Sequence, residues 1–184
     1  MEFPLGMASR EAAIIDTPRL TMRPPQESDA SPMLEIHQDP HAIVRVTLTA
    51  PPTDLQGAWR NIAMMVGHWY LRGYGQWTVL EKRTGEVIGR VGLWNPAGSP
   101  GVELGWIIRH ACWGRGYATE AARAALSWTW LHTEIDHVIS VIEPDNVRAI
   151  RVAEKIGQRF EGATVSSNKL VHVYGIHRMA DDSI

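Results

Sequence analysis

The stretch Cys112-Trp113-Gly114-Arg115-Gly116-Tyr117-Ala118-Thr119-Glu120-Ala121-Ala122 decides how the chain is read. Two glycines one residue apart precede an alanine-rich run whose apolar positions, Ala118, Ala121, Ala122, Ala125 and Leu126, keep helical spacing. The pattern predicts a glycine loop that opens a helix. Glycines reach backbone angles closed to other residues and let a ligand approach the main chain. The first N–H groups of the helix have no partner within it and point outward at the positive end of its dipole. Such a terminus suits phosphate.

Working outward, Val102, Leu104, Trp106 and Ile108 alternate with Glu103, Gly105, Ile107 and Arg109, which predicts a strand leading into the loop. After the loop the helix runs to about His132, and His137 to Ile142 reads as a short β-branched strand. Strand, helix, strand in that order implies a parallel pair. Glu143-Pro144-Asp145-Asn146 stops this strand and caps a helix over about 147–156, ended by Gly157. Phe160 to Val165 and His172 to Met179 should form a closing antiparallel pair.

Upstream, Arg19 to Arg23 ends at a double proline and suits a first strand at a sheet edge. Asp29 to His37 reads as a short helix, capped by Ser28 or Asp29 and stopped by Pro40, and a second helix starts near Asp54 and runs to about Leu71. Gln76 to Leu80 and Glu86 to Leu93 flank the turn Arg83-Thr84-Gly85, so a meander precedes the loop.

The 184 residues suit a single domain over 13–184, with 1–12 a flexible N-terminal tail. A formal charge of −2 argues against a broad basic surface for nucleic acid. Cys112 is the only cysteine, so no internal disulfide can form. No segment approaches membrane-spanning length, and the expected setting is the cytoplasm, without a membrane partner. Most of the eight tryptophans should be core, with one or two lining a pocket.

Three motifs in order resemble the GNAT acetyltransferase superfamily: Val102 to Trp106, Trp113 to Ala121, and Asn146 to Gly157. The opening Thr17-Pro18-Arg19-Leu20 is similar to the branch that acetylates ribosomal-protein N-termini, so the resemblance covers nearly the whole chain. It implies an α/β fold with a mixed, mainly antiparallel sheet, a parallel splayed pair at the cofactor site and about four flanking helices. It also implies acetyl-CoA as acetyl donor, with the pyrophosphate on the backbone amides of Gly114, Arg115, Gly116, Tyr117, Ala118 and Thr119. The strand end Ile107-Ile108-Arg109 would grip the pantetheine arm by main-chain bonds, and Asn146 would bond it too.

Direct attack of an amine on a thioester needs a proton acceptor, a donor for the oxyanion and relief for the leaving thiolate. Glu103 is the candidate base, set against the plainer reading of a solvated strand residue. The oxyanion donor falls to a backbone N–H near Ile107 or Ile108. Many family members carry a hydroxyl three or seven residues after the asparagine, where this chain has Ala149 and Ala153. Tyr174 or Tyr117, a water, or unaided departure of the thiolate remain to fill that role. Arg148, Arg151 and Lys155 share a helical face, either toward coenzyme phosphates or as a solvated basic stripe. His68 is expected to border the acceptor pocket. No metal is expected: Pro40 breaks the helix that would align His37 with His41, and spacing completes no ligand set.

The leading expectation is an acetyl-CoA-dependent N-acetyltransferase acting on a primary amine, either a protein N-terminus or a small molecule, as a monomer or homodimer. An acyl-CoA-binding or regulatory module without strong catalysis is the alternative. A dinucleotide-binding oxidoreductase is disfavoured, because a meander stands where a parallel series should precede the loop.

Overall fold

The structure, a computed structural model, describes residues 13–41, 51–166 and 168–179. The expected tail over 1–12 lies outside the described residues. In chain order the elements are β1 (Ile15–Asp16), β2 (Leu20–Arg23), α1 (Ala30–Gln38), α2 (Leu55–Arg72), β3 (Gln76–Glu81) and β4 (Val87–Trp94). There follow β5 (Glu103–Ile108), α3 (Tyr117–His132), β6 (His137–Ile142), α4 (Val147–Lys155), β7 (Arg159–Ser166) and β8 (Lys169–His177). One eight-stranded sheet runs β1-β2-β3-β4-β5-β6-β8-β7, antiparallel throughout except for the parallel neighbours β5 and β6.

Local signals explain most boundaries. Asp54 accepts the Gly57 N–H at 2.6 Å and starts α2, and Gly73 ends it in the left-handed region at φ 75°. The expected edge position of β2 is corrected. Ile15 and Asp16 pair with Met22 and Thr21 and lie outside it, and the prolines after Arg23 remove donors only beyond the paired residues. Asp29 does not cap α1 as expected. Its buried carboxylate receives both Arg23 Nη groups (2.8 and 2.7 Å), the Thr78 hydroxyl (2.6 Å) and the Gln26 N–H (2.8 Å). Burial alone would raise its pKa, but these donors together hold it below the usual carboxylate value.

The main core joins α3 to the sheet through Ala121, Ala122, Ala125 and Leu126 against Val91, Leu93, Leu104 and Val138. Alanines along this face let the helix approach the strands closely. Trp69, Trp77 and Trp128 meet edge to face, with centroids 4.9 to 5.7 Å apart, and the Trp77 indole donates to the Ala13 carbonyl at 2.6 Å. A second cluster unites Met33 and Ile36 of α1 and Ala58 and Ile62 of α2 with Ile107 of β5. No helix among the described residues is long and apolar enough to cross a membrane.

Trp77 is fully buried and ties three elements together, so Trp77→Ala should lower the unfolding free energy by about 3–5 kcal/mol, measured by urea denaturation.

Candidate active site

The site is built where the parallel pair fails. Strands β5 and β6 share one register pair, Glu103 with Ile139, and the Ile139 N–H donates to the Val102 carbonyl at 2.9 Å. The Ser140 hydroxyl then donates to the Leu104 carbonyl at 2.7 Å. Beyond that point the strands separate. Arg109 N–H donates to Ile88 on the β4 side at 2.7 Å, and a Cβ on Gly89 of β4 would lie 2.1 Å from the Ile107 carbonyl oxygen. Ile107 and Arg109 therefore spend their backbone groups on β4. By strand alternation, the backbone groups of Trp106 and the Ile108 N–H face the gap, while the Ile108 carbonyl accepts the Trp113 indole N–H at 2.6 Å.

That gap opens into a cavity of about 480 Å³, in the range of small-molecule and cofactor sites. Its walls come from the β5 end (Trp106, Ile107, Ile108), from the glycine loop and the first turn of α3, and from one face of α4 with Asn146. Gly114 and Gly116 stand at φ 74° and 80°, where an L side chain would be strained. Gly116 is the N-cap of α3 and has no side chain to turn inward, which leaves the first N–H groups of the helix for a ligand. The anticipated basic face is at the cavity: Arg148, Arg151 and Lys155 all line it, and the Arg148 guanidinium lies 4.2 Å over the Trp113 ring.

Glu103 lies at the fork. Its carboxylate accepts the Val141 N–H and feels the buried Arg90 guanidinium, while burial, the largest influence, pushes its pKa up to about 7. Burial likewise lowers Arg90 to about 10, leaving it cationic at neutral pH, and its Nη1 donates to the Gln76 amide oxygen. Sequence reasoning missed Arg90, although an arginine among the apolar residues of β4 was a visible signal.

Other expected positions fall as follows. Ile107, Ile108, Gly114, Gly116, Tyr117, Ala118, Thr119 and Asn146 are brought together around the cavity. Glu103, Arg109 and Arg115 are not among its lining residues. The Arg109 guanidinium reaches Glu35 at 3.3 Å, and the Arg115 carbonyl accepts Arg19 Nη1 at 2.8 Å. Tyr174 is buried beside Ile142 and Ala153, with Trp106 and Ala149 packed on that cluster, and lines a separate cavity of about 320 Å³. The Asn146 side chain caps α4 by accepting the Ala149 N–H at 3.2 Å. His68 accepts the Asn95 N–H on Nε2 and meets the Tyr74 carbonyl through Nδ1, both at 3.0 Å, so neither ring nitrogen is left for an acceptor amine.

A family model described as an acetyltransferase (GNAT) domain matches residues 19–159. The chain belongs to the GNAT acetyltransferase family. YkkB of Bacillus subtilis (strain 168), described as an uncharacterized protein, is 36% identical over 107 residues, covering 56% of this chain and 62% of that protein's length. The crystal structure of an acetyltransferase from Agrobacterium tumefaciens superposes with a TM-score of 0.77 at 29% identity, over 90% of this chain and 94% of that one. RimL, a ribosomal L7/L12 α-N-protein acetyltransferase solved with coenzyme A, shares the fold at a TM-score of 0.75 and 18% identity, over 89% and 97%.

In this GNAT chain the Thr17-Pro18-Arg19-Leu20 segment acquires a physical role. Glu120, in the first turn of α3, accepts the Thr17 hydroxyl (2.7 Å), the Arg19 N–H (3.1 Å) and the Arg19 Nε–H (2.6 Å). The Arg19 guanidinium also covers the Tyr117 ring at 4.5 Å, and the Tyr117 hydroxyl donates to Glu81 at 2.6 Å. This clasp anchors the glycine loop to the start of the chain. Glu120→Ala should cost about 1–3 kcal/mol of stability in urea denaturation, because several charge-assisted bonds converge on one largely covered carboxylate.

Proposed function

We propose that this chain is an N-acetyltransferase that moves the acetyl group of acetyl-CoA directly to a primary amine, either a protein N-terminus or a small molecule. The observation that carries the reading is Glu103, a carboxylate raised to about 7 where β5 and β6 part, on the strand whose end, Trp106 to Ile108, lines the cavity. A base poised near neutrality suits removal of a proton from an ammonium group. RimL, which acts on a ribosomal-protein N-terminus, supports the protein-terminus option as a likeness of fold.

Acetyl-CoA supplies the activated acetyl thioester. The cavity fits its chemistry: N–H groups at the α3 terminus for a pyrophosphate, Arg148, Arg151 and Lys155 for further phosphate charge, and main-chain groups of Trp106 for the amide arm. Glu103 takes the ammonium proton, directly or through a water. The amine nitrogen bonds to the carbonyl carbon, the carbon–sulfur bond breaks with its electron pair leaving on sulfur, and the nitrogen gives up its second proton to water or to the departing thiolate. The Ile108 N–H, facing the gap, is the oxyanion donor.

Ala149 on the cavity wall favours the second reading, a module that binds acyl-CoA without strong catalysis, since no hydroxyl stands there to protonate the thiolate. Thiol release from acetyl-CoA with a panel of amines and N-terminal peptides separates the two. Acceptor-dependent release is expected; tight coenzyme binding with none would leave the binding module.

Glu103 must be ionised to act, so the rate should rise as pH increases through about 7. Glu103→Gln should lower kcat about 10²-fold or more and remove that limb; an unchanged profile would exclude Glu103 as the base. Gly116→Val, which forces a branched side chain to φ 80°, should weaken coenzyme A binding at least tenfold by calorimetry, with a smaller effect on unfolding.

A further inference from the structure

The geometry points to a binding site for one divalent transition cation of the zinc type, held by His137, Glu161 and His177. His137 opens β6 and His177 closes β8, and the two are direct register partners. Their side chains therefore leave the same face of the sheet, with rings stacked at 4.1 Å and 10°. The third ligand comes from β7. There Phe160 opposes Tyr174 and Gly162 opposes Val173, so Glu161 is the extra residue of a β-bulge. Bulges re-aim a side chain out of its strand's alternation. Here the Glu161 carboxylate turns over Gly175 to lie 3.0 and 3.1 Å from His137 Nε2 and 3.9 Å from His177 Nε2.

Gly175 is the clearance for this arrangement. A Cβ on it would stand 2.1 Å from Glu161 Oε1, so any other residue would expel the carboxylate. One donor atom from each of the three residues lies within 4.8 Å of the other two, a spread that small side-chain rotations close to a metal's coordination sphere. Two imidazole nitrogens and one carboxylate suit zinc or its borderline neighbours, with water completing the shell; calcium and magnesium prefer sets made wholly of oxygen. A second group, Asp39, His41 and His110, has an Asp39–His110 separation of 4.0 Å and lacks a bulge or glycine clearance built around it.

The triad sits at the opposite end of β6 from Asn146, roughly 20 Å away by strand rise. A cation there would join β6, β8 and β7 without touching the acetyl-transfer site. The inference stands whether or not the chain transfers acetyl groups.

The test is zinc binding by equilibrium dialysis and calorimetry on the full chain stripped with a chelator. One zinc per chain is expected, with a rise in melting temperature and, for cobalt(II), visible d–d bands. Glu161→Gln and His177→Ala should each weaken binding at least tenfold and abolish the thermal shift, while Asp39→Ala/His41→Ala leaves both unchanged. Far-UV circular dichroism without metal checks that each variant is folded, and His177→Gln replaces His177→Ala if that one is not. Absence of zinc uptake, uptake indifferent to the triad substitutions, or loss only in the Asp39/His41 variant would overturn the assignment.

Discussion

The constraint on which the rest depends is that β5 and β6 run parallel for one register pair and then part. Parting two strands inside a sheet leaves buried N–H and C=O groups without partners, a cost the fold tolerates only where a ligand can take them. Up to the fork the groups facing across it are met in three ways. The Val102 carbonyl takes the Ile139 N–H, the Leu104 carbonyl takes the Ser140 hydroxyl, and the Val141 N–H goes to the Glu103 side chain. Glu103 thus does two things at once: it ends the ladder by substituting for a backbone acceptor, and it stands where the gap begins.

The other elements hold the gap open and furnish its walls. Strand β4 draws the backbone of Ile107 and Arg109 to its own side, which directs Trp106 and Ile108 the other way. Helix α3 is pressed to the sheet by alanines, and its start is fixed from a distance by Thr17 and Arg19 through Glu120. Helix α4 brings its cations to the facing wall. The loop glycines are needed for backbone angle rather than for space at Gly114, where a Cβ would meet nothing within 4 Å.

The elements that sequence made legible are those specified locally. Alternation located β5, the turn at Arg83-Thr84-Gly85 located β3 and β4, the β-branched run located β6, the glycine pair located the start of α3, and Asn146 marked the start of α4. What stayed hidden depends on partners far along the chain. Nothing near Asp29 announces that Arg23 and Thr78 will claim its carboxylate in place of a helix cap, and the Glu120 clasp spans about a hundred residues. The order of the last two strands was equally closed, because which of β7 and β8 reaches β6 is decided across the sheet. A search for metal ligands at fixed spacing on one element could not join His137, Glu161 and His177, which come from three strands and depend on a bulge. At the candidate site, Asn146 and the loop were readable as types; Arg90 stood out only as a charge in an apolar strand, since its role lies in the buried carboxylate it faces.

The empty hydroxyl positions at Ala149 and Ala153 also become intelligible in terms of where proton transfer matters. An ammonium cannot attack until it loses a proton, and its pKa lies well above neutrality, whereas a thiol's lies only slightly above it. In the proposed reaction the assistance worth building is therefore on the amine side. The chain concentrates its electrostatics there: burial raises Glu103 toward neutrality, while Arg90 keeps the carboxylate from rising further. On the thiolate side Ala149 lines the cavity wall with no proton donor of its own, and the cations Arg148, Arg151 and Lys155 are left to the phosphates. The same argument makes Tyr174 dispensable as an acid, since its ring completes the packing of Ile142 and Ala153 beneath α4 and borders a different cavity.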